Sequence, residues 1–169
     1  MPIKILKQIP KSLFTTPKIP SIAAVGLMVA ELVILNYFNA PEPFCTLNVE
    51  RPHYSTSLKE SRNIDAIKLN ITSQCNVSQE YTEIVPSIEK IEGGRQLVVH
   101  NFGSEKRNSL KSNPKVAEFQ DLYVLCRLGK SMSYSGVAKG IVVLKGGGTV
   151  PVQGDSGLFR ATNCAIGAQ

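Results

Sequence analysis

Three groups of residues in this chain have the types needed for chemistry. In chain order, His53, Asp65 or Asp121, and Ser156 supply a base, an acid to orient it and a hydroxyl. Those are the parts of a nucleophilic acyl-transfer triad. The second group is one carboxylate, Glu31, inside the otherwise apolar run from Ile22 to Leu35. An ionised acid at mid-membrane costs ~2.5 kcal/mol or more, so such a group faces a partner or water. The third group is Cys45, Cys75, Cys126 and Cys164. With no Cys-x-x-Cys pair, and with His53 and His100 as the only histidines, these four point to two disulfides and not to zinc.

The element that must position Glu31 is a helix. Residues 19–40 are framed by Pro20 and Pro41 and reach the ~20 residues that cross a ~30 Å hydrocarbon layer. Lys4, Lys7, Lys11 and Lys18 precede them with no acid, a bias that holds the N-terminus in the cytoplasm. Phe38-Asn39-Ala40 followed by Pro41 is a poor cleavage site, so the expectation is an uncleaved signal-anchor. Gly26 and Ala30 form a small-xxx-small pair that Ala23 extends, and small residues let a second helix approach closely. Ala23, Gly26, Ala30 and Glu31 are therefore the expected helix-docking residues.

Two short stretches carry resemblances. Gly26-Leu-Met-Val-Ala-Glu31 resembles the processing site of type IV pilins, with glycine before the cut and glutamate five residues after it. That resemblance implies a glutamate paired with a neighbouring subunit's new N-terminus. Only Leu27 to Phe38 stays apolar beyond the cut, shorter than the long pilin helix. Gly154-Asp-Ser-Gly157 resembles the nucleophile loop of trypsin-like serine proteases, which implies Ser156 as nucleophile. Leu158-Phe159 stand where that family has Gly-Pro, and 12 residues follow Gly157. A Gly/Asp/Ser turn between two strands accounts for the same tetrapeptide.

Beyond the spacer at 41–44 the pattern is β. Ile67-Lys-Leu69-Asn-Ile71 alternates apolar and polar residues, the period of a half-buried strand. Leu97 to Phe102, Tyr123 to Leu128 and Gly140 to Leu144 are apolar runs of strand length. Leu47 to Val49, Tyr81 to Val85, Val150 to Val152 and Leu158 to Ala161 are weaker candidates. Gly93-Gly94, Gly103-Ser104 and Gly146-Gly-Gly148 mark turns between them. Ser112-Asn-Pro114, then Val116, Phe119 and Leu122 at helical spacing, predict a short helix near 114–122. For the disulfides, Cys75–Cys126 with Cys45–Cys164 is the favoured pairing, and Cys45–Cys75 with Cys126–Cys164 the close alternative. Asn70-Ile-Thr and Asn76-Val-Ser match the glycosylation sequon.

Charge excludes one partner class. Residues 41–169 hold 15 Lys and Arg against 12 Asp and Glu, and no basic cluster is interleaved with aromatics, so no nucleic acid is expected. The expected architecture is one transmembrane α-helix plus an all-β, sandwich-like, antiparallel exported domain. Its parts are a basic cytoplasmic tail (1–18), the signal-anchor helix (19–40), the Pro-rich spacer (41–44) and a disulfide-stapled β domain (45–169). The expected function is a non-catalytic, single-pass accessory subunit of a larger membrane complex, with integral-membrane protein partners and no cofactor or metal. The alternatives are a membrane-tethered extracytoplasmic binding module and a type IV pilin-like subunit.

Overall fold

The computed structural model describes residues 42–167 except 93 and 158. The expected tail, anchor and pilin-like site fall outside these residues. Among the described residues, no helix is long and apolar enough to cross a membrane.

Nine strands and one short helix make up the described chain. The strands are β1 (Cys45–Val49), β2 (His53–Tyr54), β3 (Ala66–Cys75), β4 (Gln79–Glu92), β5 (Arg95–Asn101), β6 (Glu105–Asn108), β7 (Val116–Leu144), β8 (Thr149–Asp155) and β9 (Arg160–Ile166). All pairings are antiparallel, in the order β1-β3-β7-β4-β5, with β2 on β3, β6 on β4, and β8 and β9 on β7. Pattern and pairing agree: Ile67, Leu69 and Ile71 of β3 are buried, and so are Thr82, Ile84 and Ile88 of β4.

The 29-residue strand β7 organises the whole. Its first part pairs with β3, with Gln74 opposite Val116 and Ala66 opposite Leu125. Its last part pairs with β4 on one edge and β8 on the other. Yet the turn joining β3 to β4 meets both ends of β7. Cys75 N–H donates to the Lys115 carbonyl at 2.9 Å, and Lys145 N–H donates to the Ser78 carbonyl at 3.1 Å. The strand therefore doubles back, and its two parts lie in opposing layers. The bend falls where the β7–β9 register shifts between Leu128 and Met132. Gly129 there takes φ +102°, a conformation that costs glycine little.

Between the layers lie Leu47, Val49, Leu69, Ile84, Ile88, Phe119, Tyr134 and Val142. The layers come close at Gly154, where a Cβ would stand 2.6 Å from the Leu47 carbonyl oxygen. Tyr134 is fully buried, and its hydroxyl accepts the Ile166 N–H at 2.7 Å. That bond satisfies the one polar atom a buried tyrosine brings.

Two expectations are corrected. Residues 114–122 contain no helix: Ser112-Asn-Pro114 forms a turn, with Asn113 Oδ1 accepting Lys115 N–H at 3.2 Å, and β7 starts at Val116. The helix-like spacing of Phe119 and Leu122 comes from a β-bulge. Leu69 faces Leu122 while Ile71 faces Phe119, so β7 spends one extra residue and both side chains still point inward. The helix that does form is α1 (Thr56–Arg62), capped by the Ser55 hydroxyl and closed by Asn63 at φ 54°.

The second correction is the disulfide pairing, which is Cys45–Cys75 and Cys126–Cys164. Cys45 lies directly opposite Cys75 in the β1–β3 ladder. Cys164 faces Leu128, a diagonal step from Cys126. Cys75 and Cys126, by contrast, lie at opposite ends of the β3–β7 ladder. At about 3.3 Å per residue that separates them by roughly 30 Å, far beyond a disulfide's reach.

Candidate functional site

The residues with triad chemistry are not brought together. His53 Nδ1 lies 3.2 Å from the Arg51 carbonyl. Asp65 accepts the Tyr54 hydroxyl and lies 3.0 Å from Lys59 Nζ. The hydrogen bond from Tyr54 and then that from Lys59 hold the Asp65 carboxyl below its ordinary range, and the same bond raises Tyr54. Asp121 is taken by Arg107. Ser156 Oγ accepts the Gly136 N–H at 2.9 Å and sits 3.1 Å from Ser135 Oγ. Asp155 Oδ1 accepts the Gly157 N–H at 2.8 Å, the side chain-to-backbone bond of an Asx turn. The tetrapeptide is thus a turn latched to β7.

Among the described residues no group of three or more His, Cys, Asp or Glu is placed to hold a metal. Ala23, Gly26, Ala30 and Glu31 lie outside the described residues. Asn76 is exposed and Asn70 half-buried, its amide donating to Glu50 Oε2 at 2.9 Å. His100 packs edge-on against Phe102, ring centres 4.6 Å apart, and burial pushes its imidazole below the ordinary value.

What the fold does bring together is an apolar, basic end. At the bend of β7, Tyr123, Leu125 and Leu128 are 36%, 63% and 55% exposed. Leu122 and Val124, the alternate residues, turn inward, so Tyr123 and Leu125 lie on the outer face as the pleat demands. Arg127 and Lys130 are exposed beside them. The β4–β5 hairpin runs past Tyr134 toward the same end and carries exposed Ile91, Leu97 and Val98. Of the eight large apolar side chains exposed among the described residues, only Phe44 and Ile141 lie elsewhere. Between β5 and the end of β9 runs a groove of about 370 Å³, lined in part by Leu97, Val99 and Ile166.

Sequence reasoning missed this end. Tyr123 to Leu128 is legible as a strand, and its alternation marks one face as inward. Apolar residues at five of its six positions, all but Arg127, were the signal that the other face is not ordinary solvent-exposed surface. Comparison with family models, with curated proteins and with solved structures gives no match.

The two disulfides are consistent with an oxidising, extracytoplasmic setting for the β domain. Cys45–Cys75 ties the strand at which the chain enters the sheet. Cys126–Cys164 ties β9 to the bend. The covalent staples therefore bracket the fold at its entrance and at its apolar end.

Proposed function

We propose that this chain is a non-catalytic accessory subunit of a membrane protein complex, whose extracytoplasmic β-sandwich grips a protein partner through the bend of β7. The observation that carries the reading is the exposure of Tyr123, Leu125 and Leu128 within six residues, beside Arg127 and Lys130. Aromatic and apolar anchors rimmed by arginine have the composition of an interface core. Their place in the fold adds support. The chain enters at Cys45, paired to Cys75 near Val116, and the bend lies at the far end of the same ladder. An anchor at 19–40, with Glu31 on its docking face, would tether the domain through the chain that enters at Cys45.

The test is purification of the full chain from native membranes in mild detergent, with mass spectrometry of what stays attached. Stoichiometric integral-membrane partners are expected, lost from a Leu125→Asp/Leu128→Asp variant that still forms both disulfides. Glu31→Leu is expected to weaken the same assembly through the helix. A lone monomer, or a complex indifferent to all three changes, overturns the proposal.

A further inference from the structure

One edge of the sheet is built from two strands of opposite character. Along β4, residues 81–84 pair with β6 and residues 87–92 with β5, so β5 and β6 follow one another down the same edge. The β6 half reads Glu105-Lys-Arg-Asn108, the charge that keeps an edge from pairing with foreign strands. The β5 half reads Arg95-Gln-Leu-Val-Val-His-Asn101. Residues 95–98 are all exposed, Val98 at 59% and Leu97 at 41%. Among the described strands β5 pairs with β4 alone. Ile91, 51% exposed, stands opposite Gln96 on β4. Half of this edge is defended and half is not.

We infer that the open half of β5 pairs antiparallel with β5 of a second copy of this chain, about a twofold axis at Leu97. The register of β4 and β5 fixes which amides are free. Glu92 faces Arg95 in the β4–β5 ladder, and Lys90 faces Leu97. Taking the closing pair as hydrogen-bonded, alternation turns the N–H and C=O of Gln96 and Val98 outward. A twofold at Leu97 sets Gln96 opposite Val98 of the copy, and both outward amides of each strand gain partners. Leu97 then faces its own copy and Arg95 faces Val99, so no like charges oppose each other. The two Arg95 residues stand about 13 Å apart along the ladder, beyond the ~8 Å over which salt leaves such charges felt. The register shift between Ile88 and Glu89 places the extra residue of β5 at Val99, so the two hydrogen-bonded pairs of Gln96 with Val98 use the regular stretch.

This contact uses β5, at the same apolar end, and not Tyr123, Leu125 or Leu128 of the bend, and it does not rest on the function proposed for them. An edge contact of this size belongs to the weak class, so a covalent trap is the measurement that reads it. The full chain carrying Leu97→Cys, oxidised in membranes at low expression, is expected to give a reducible dimer of twice the chain mass. Gln153→Cys, exposed on β8, is expected to give at least fivefold less. Adding Val98→Pro removes an edge N–H without touching the β4 ladder and is expected to cut the dimer at least fivefold. Val98→Lys is expected to do the same where proline lowers the melting temperature. Equal trapping at Leu97 and Gln153, a dimer untouched by both Val98 changes, or a disulfide to a different polypeptide each overturns the inference.

Discussion

Arg107 of β6 grips Asp121 of β7 with one nitrogen: Nη2 lies 2.7 Å from one carboxylate oxygen and 2.8 Å from the other. The guanidinium also reaches Glu105 at 3.1 Å and lies 5.7 Å from the centre of the Phe119 ring. Arg107 therefore links β6 to the first part of β7, with which β6 forms no ladder among the described residues. The Asp121 carboxylate is 70% exposed, so solvent screens the pair and Asp121→Asn is expected to cost under ~1 kcal/mol at pH 7. Arg107→Ala, which also uncovers the Phe119 ring, is expected to cost more, about 1–2 kcal/mol. Denaturant unfolding of both variants checks the order.

The same pair sets a pH dependence. The Arg107 hydrogen bond holds the Asp121 carboxyl below its ordinary value of 3.8, as the Tyr54 and Lys59 bonds do for Asp65. A depressed carboxylate contributes stability that is complete above the unfolded value and is lost as pH falls through the folded one. The gap between wild type and Asp121→Asn should thus be constant from about pH 7 to about pH 5 and close as pH falls below 3.8 through the folded value. A gap that persists unchanged in acid would show that the pair contributes nothing through ionisation.

The disulfides close loops of similar length, with sequence separations of 30 and 38. Chain entropy assigns each about 3–4 kcal/mol, with the two within a few tenths of one another. Replacing Cys126 and Cys164 together by serine is expected to lower the unfolding free energy by that amount. It should also release β9 from the bend, so amide exchange in residues 160–166 should rise more than in β1. Replacing Cys45 and Cys75 should reverse that pattern.

Much of this fold is legible in the sequence, for reasons that individual residues show. Ile67, Leu69 and Ile71 alternate because one face of β3 meets the core, and period-2 burial leaves its mark in residue types. The Gly triplet at 146–148 marks the β7–β8 turn, with Gly147 and Gly148 at φ +87° and +88°. What misled was local. A bulge put Phe119 and Leu122 three residues apart on one face of a strand, and no short window separates that from a helical turn. Disulfide pairing was ambiguous because it depends on which ladder brings two cysteines level, a long-range fact. The doubling back of β7 was invisible for the same reason: a 29-residue strand reads as several short ones broken at Gly129 and Gly140. The candidate interface at the bend was half legible, as an apolar run with no marked polar face.

Gly140 tests the packing of the layer that holds β4 and β7. A Cβ built there would overlap the Glu83 carbonyl oxygen and come 2.7 Å from the Ile84 Cα. These are backbone atoms of the paired strand and cannot swing aside. Gly140→Ala is therefore expected to destabilise by about 3 kcal/mol, at the upper end for overpacking. Gly146, with nothing within 4 Å of such a Cβ, should accept alanine within ~0.5 kcal/mol. Equal effects of the two changes in thermal or urea unfolding would show that β4 yields at Glu83.

Ser156 separates a latch from a nucleophile. Its hydroxyl accepts the N–H of buried Gly136, and the Ser156 N–H donates back to the Gly136 carbonyl at 2.9 Å. The side chain thus fixes the loop after β8 onto β7. Ser156→Ala leaves the Gly136 N–H without its acceptor, a loss expected to cost about 1–2 kcal/mol. His53, the base a hydrolase would need, makes its hydrogen bond to the Arg51 carbonyl. A fluorophosphonate probe is expected to label the wild-type chain no more than the alanine variant, while the variant melts several degrees lower. Labelling that Ser156→Ala abolishes would make the latch reading wrong and restore the acyl-transfer chemistry to this loop.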